Sequence, residues 1–106
     1  MKKETSFREL TNRLGNFIKV ENAPSRNGYG KAPNQFILRY ENGSIFQSYD
    51  AICGVKIGAE YFFTDYHDYS NTTSGHVGRW CGYNTKERRE GLKDGKFTAI
   101  TNYYRN

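Results

Sequence analysis

At 106 residues the chain has room for one domain, residues 1–106, around one core, and sixteen Lys and Arg against eleven Asp and Glu leave a net charge of +5. That sign favours an anionic partner: nucleic acid, an acidic protein face or a phosphate-bearing ligand. Two cysteines are too few for a secreted disulfide framework, no apolar run reaches membrane-spanning length, and the first six residues lead into no hydrophobic signal core, so the expected setting is a reducing cytoplasm.

The elements follow in chain order. Ser6, with Glu9 three residues on, has capping-box spacing, and Phe7, Leu10 and Leu14 recur at helical intervals. This predicts a helix over 7–14, stopped by Gly15. Residues 16–21 alternate as a strand. Residues 23–34 hold both prolines and two glycines without periodicity, which reads as a loop bearing Arg26, Tyr29 and Lys31. Asn42-Gly43 between two β-rich runs predicts a two-residue hairpin turn, pairing Tyr40 with Ile45, Leu38 with Gln47 and Phe36 with Tyr49. Gly58-Ala59 predicts a second hairpin between 51–57 and 60–65, with Cys53, Val55, Ile57 and Phe62 on one face and Gly54 as a candidate bulge.

After Asp65 the pattern changes. Ser70 to Ser74 are rich in capping residues, Val77, Trp80 and Cys81 stand at i, i+3 and i+4, and Gly82 closes a short helix. Asn84 or Thr85 caps a second helix over 86–93, whose single large apolar residue is Leu92, so most of it is expected to face water. Asp94-Gly95 turns into a last strand over 96–104. The expected fold class is α+β: a small antiparallel sheet of about five strands, two β-hairpins plus flanking strands, with short helices packed on it.

Phe46-Gln47-Ser48-Tyr49-Asp50, then Asp68-Tyr69-Ser70-Asn71-Thr72-Thr73-Ser74, then Gly82-Tyr83-Asn84-Thr85-Lys86-Glu87 and finally Gly95-Lys96-Phe97 together resemble a family of small phage and mobile-element proteins of unknown function. The likeness runs from about Gln35 to Ile100. It implies an accessory protein of the kind that binds and disables a host machine, anti-CRISPR proteins being one such group. It brings no catalytic residue with it. In that family an aliphatic residue is usual where Cys81 stands, and no Cys is typical at the place of Cys53.

The chemistry-bearing residues leave several readings open. Cys53, His67, His76 and Cys81 are two thiols and two imidazoles, the ligand set of a structural zinc. Their separations of 13, 8 and 4 intervening residues lack a Cys-x-x-Cys knuckle, and the alternative is two cysteines buried as small hydrophobes with both histidines at the surface. A Cys–His nucleophile and a carboxylate nuclease around Asp65 and Asp68 both lack a supporting motif, so a non-enzyme is expected. Binding surfaces carry more of the pattern. Arg79, Arg88 and Arg89, with Lys86 and Lys93, mark a basic helical face, and Tyr29 and Lys31 add an aromatic and a cation in the loop. The expected function is inhibition of a host defence protein in the host cytoplasm, most concretely a Cas effector; the alternative is a small basic regulator that binds RNA or DNA.

Overall fold

The computed structural model describes residues 1–25 and 30–103. Its elements are β1 Lys3–Ser6, α1 Phe7–Leu14, β2 Phe17–Pro24, β3 Lys31–Tyr40, β4 Gly43–Ser48, β5 Ala51–Ile57, β6 Glu60–Phe63, a 3₁₀ turn Asp65–Asp68, α2 Asn71–Cys81, α3 Thr85–Asp94 and β7 Thr98–Thr101. The class is α+β, but the sheet has seven strands in the order β1-β7-β6-β5-β4-β3-β2, and it is mixed. The five-stranded antiparallel sheet expected from sequence is therefore corrected in count and in pairing. β7 runs parallel to both β1 and β6. A parallel neighbour needs a long crossover, and the segment carrying α2 and α3 supplies it between β6 and β7. The segment before α1 adds a strand, β1, and the stretch read as a loop lengthens two expected ones, contributing Pro24 to β2 and Lys31 onward to β3.

Helix ends follow local chemistry. Ser6 accepts from the Glu9 backbone N–H at 3.2 Å, while the Glu9 carboxylate takes the Thr5 hydroxyl at 2.7 Å. Asn84 and Glu87 form a complete capping box on α3, and Gly82 and Gly95 close α2 and α3 in the left-handed region.

Both faces of the sheet are covered. On the first, Leu10 and Leu14 of α1 pack against Ile45, Ile52, Val55, Phe62 and Ile100. On the second, Val77 and Cys81 of α2 pack with Phe46, Cys53, Phe63 and Phe97. α1 joins opposite edges of the sheet. A flat sheet would hold β1 and β2 about 28 Å apart across six strand spacings, whereas an eight-residue helix and its short connections reach roughly 20 Å. The sheet accordingly curls around α1.

The first hairpin forms in another register. Tyr40 faces Gly43, Leu38 faces Ile45 and Phe36 faces Gln47, so Glu41 and Asn42 make the turn. The cause is tertiary. The Asn42 backbone N–H donates to the Leu14 carbonyl at 3.0 Å and its side chain to the Arg13 carbonyl at 3.0 Å, satisfying groups that the end of α1 leaves open. Gly43 is needed for close approach rather than for positive φ: a Cβ there would lie 1.9 Å from the Lys56 carbonyl oxygen. The second hairpin keeps its predicted turn, with Ile57 facing Glu60 and Gly58 at φ 60°. Its expected common face does not hold. Phe46 faces Gly54 while Gln47 faces Ile52, so Cys53 is the extra residue of a bulge and turns to the second face, away from Val55, Ile57 and Phe62.

Candidate functional site

The second face of the sheet carries a cleft of about 450 Å³ between β2–β5 and α2. One row of paired residues crosses its floor: Arg39 faces Ser44, Ser44 faces Lys56 and Lys56 faces Tyr61. Glu21, Asn22, Ala23 and Pro24 of β2 form one wall, and His76, Arg79 and Trp80, at helical spacing on α2, form the other. Ile37 and Phe46 supply the apolar floor.

Trp80 holds that position because residue 54 is a glycine. A Cβ on Gly54 would stand 2.8 Å from the indole, so the ring lies where a side chain on β5 is missing. Phe46 and Tyr61 meet the indole at centroid distances of 5.7 and 5.8 Å, the latter edge-on. The cleft's cations already have partners. Arg39 Nε donates to Glu21 Oε1 at 2.6 Å, and this hydrogen bond holds the Glu21 carboxyl below its usual value. Arg79 lies 2.8 Å from His76 Nδ1, and Lys56 Nζ sits 5.6 Å over the Tyr61 ring.

The residues singled out from sequence are dispersed. Arg79 lines the cleft. Arg88 is fully buried and does not belong to any surface. Its Nε donates to His67 Nδ1 at 3.0 Å and its terminal nitrogens to the carbonyls of His67, Ser74 and Tyr83 and to the Ser74 hydroxyl, tying the 3₁₀ turn, α2 and α3 together. Burial lowers its pKa. Arg89 is exposed and ion-paired with Asp68 at 2.7 Å, and Lys86 Nζ lies 4.0 Å from Glu90. Lys31 opens β3 as an exposed residue facing Pro24. Tyr29, like Arg26 and Tyr104, falls outside the described residues.

The four zinc candidates also part. Cys53 Sγ contacts the Ala51 carbonyl, and Cys81 Sγ the Tyr83 carbonyl at 3.5 Å. Burial pushes the Cys81 thiol up, away from the thiolate that a nucleophile requires. His67 and His76 are both buried, one against Arg88 and the other against Arg79, rather than at the surface. Among the described residues no group of three or more His, Cys, Asp or Glu is placed to hold a metal ion. Among them, too, no helix is long and apolar enough to cross a membrane.

Sequence reading missed Arg39, Lys56 and Trp80 as one site. Alternation along β3, β4 and β5 carried the signal, but the hairpin register that would align Arg39, Ser44 and Lys56 is the one Asn42-Gly43 spoke against. A model of a family of unknown function (DUF8033) matches residues 18–97, from within β2 to just short of β7. No curated protein and no solved structure matches the chain.

Proposed function

The chain belongs to this family of unknown function, and we propose that it acts by stoichiometric binding of a protein partner rather than by turnover. In the setting that its resemblance to phage and mobile-element proteins implies, the partner is a host defence protein met in the host cytoplasm, most concretely a Cas effector. The observation that carries the reading is the cleft itself, with Trp80, Phe46 and Ile37 in its interior and Arg39, Lys56 and Arg79 around them. An aromatic and an arginine beside an apolar pocket, ringed by polar groups, is the composition of a protein-binding hot spot. Binding to RNA or DNA is less well supported. It draws on cations that release counterions from phosphates, and here Arg88 is buried, Arg89 is held by Asp68 and Arg39 by Glu21.

The test is capture from host lysate, with mass spectrometry of what is retained, by the wild-type chain and by Lys56→Glu/Arg79→Glu. The expected result is one dominant protein held by the wild type and lost by the variant at unchanged melting temperature. A shift of bare nucleic acid that weakens linearly on a log–log salt plot would replace this reading with the nucleic-acid one.

A further inference from the structure

Whatever fills the cleft, we propose that β2 pairs antiparallel with β2 of a second copy of this chain, in the register that sets Val20 against Val20. β2 is an outer strand of the sheet, and on it Phe17, Ile18 and Val20 are 53%, 60% and 55% exposed. Natural sheet edges are usually blunted by charge or covered, because a row of open backbone groups invites another strand.

Pairing with an identical strand is restricted. Backbone N–H and C=O groups point to a given edge at every second residue, so residues that face each other across a two-fold axis differ by an even number. Four such registers centre on the regular part of β2, Lys19 to Asn22, and the one on Asn22 sets Glu21 opposite Ala23 and gives neither Lys19 nor Glu21 an unlike charge. Of the others, one sets Lys19 against Lys19 and another sets Glu21 against Glu21. The third sets Val20 on the axis, with Lys19 of each copy opposite Glu21 of the other, all within the regular part of the strand. Like charges directly opposite are destabilising and unlike charges stabilising, so charge selects the third register. Lys19 and Glu21 are already on the same side of the strand, 3.8 Å apart within one chain. Val20, which faces Leu38 on β3, meets its own copy on the other side.

Pairing of this kind makes one continuous sheet and keeps like faces together. Because Glu21, Asn22, Ala23 and Pro24 line the cleft, the two clefts then lie on either side of the axis on a single face. The bound partner meets a paired site with one α2 helix on each flank.

Sedimentation velocity at about 100 μM, enough to populate a dimer of micromolar Kd, should give twice the chain mass of 12.3 kDa. Lys19→Glu alone and Glu21→Lys alone each oppose like charges at both contacts and should weaken the dimer about tenfold or more. Mixed together, those two variants restore unlike pairs at both contacts and should form a heterodimer. Val20→Cys is the independent check. Facing Cα atoms on the axis are about 4.5–5.5 Å apart, within reach of a disulfide, so mild oxidation should give a covalent dimer, with Cys53 and Cys81 buried and out of competition. A monomeric wild type, single variants that dimerise like the wild type, a mixture that fails to pair, or no covalent dimer from Val20→Cys would each overturn the proposal. None of these outcomes depends on the identity of the cleft's partner.

Discussion

Replacing Arg88 by methionine tests whether this residue is scaffold or contact. The side chain is fully buried, and all of its hydrogen-bond partners in the structure are neutral acceptors. Methionine keeps much of the length and removes the donors. The Ser74 carbonyl lies within α2 and has the helical bond to fall back on, and the Ser74 hydroxyl still has Thr85. Two acceptors, His67 Nδ1 and the His67 carbonyl, then lose the Arg88 donor, and the Tyr83 carbonyl keeps only the weak Cys81 thiol. Each buried orphan costs about 1–3 kcal/mol, and relief from burying a guanidinium offsets part of the sum. The expected net loss is about 3–5 kcal/mol, a large share of the roughly 5–15 kcal/mol typical of a domain. Melting should fall by roughly 15–30 °C at this size. Urea unfolding followed by the fluorescence of Trp80, the one tryptophan, measures it, with Arg89→Gln as the control. Arg89 holds an exposed ion pair, so that change should cost under about 1 kcal/mol. A loss below about 1 kcal/mol in Arg88→Met, with an unchanged denaturant slope, would refute the account of Arg88 as the clamp between the 3₁₀ turn and the two helices.

The same clamp predicts an acid transition: burial, first among several causes, pulls His67 down to about 4 from 6.5. The unfolded chain therefore binds more protons than the native one between those values, and stability that is constant above pH 6.5 should fall by on the order of 3 kcal/mol as pH drops toward 4. His67→Asn, which keeps an acceptor for Arg88 but does not titrate, should flatten that slope in urea titrations run at several pH values, and an unchanged slope would assign the transition to other groups. Gly91→Ala should destabilise by about 1–3 kcal/mol, although alanine is the better helix former by about 1 kcal/mol, because its Cβ would stand 2.3 Å from the Phe97 ring. A rise in melting temperature for this variant would contradict that packing.

The parts of the fold legible in the sequence are those decided within a few residues. Ser6, Gly15, Asn84 and Gly95 mark helix ends because capping is local chemistry, and α1 spans the residues predicted for it. The parts that were not legible are decided by contacts distant in sequence. Lys3–Ser6 has no alternation to announce a strand, and it is one because β7 lies beside it. The Asn42-Gly43 turn yields to the carbonyls of Arg13 and Leu14, some thirty residues earlier. On α3, Leu92 packs half-buried against the second-face core, but the residues the helix buries are Arg88 and Gly91, which no apolar pattern marks. An arginine that caps neutral acceptors inside a fold has the same signature in sequence as one that waits on a surface. The candidate site suffered for the same reason, since among the described positions singled out for binding Arg88, Arg89 and Lys31 do not line the cleft and Arg79 does.

One irregularity links the core to the cleft. Were β5 regular through Cys53 and Gly54, Cys53 would share a face with Val55 and point toward α1. The extra residue opposite Phe46 reverses this. It delivers Cys53 to the α2 side, where a small apolar thiol packs with Phe46, Phe63 and Val77, while next to it Gly54, with no side chain, leaves room for the indole. The same hydrophobic packing that seats α2 on the sheet therefore sets the position of Trp80, and through α2 the positions of His76 and Arg79. A binding surface built on a helix anchored in this way is rigid before a partner arrives, which limits the ordering cost of association. It also explains why a glycine in the middle of a central strand, ordinarily a weak point, stands here at the place where the fold and the cleft meet.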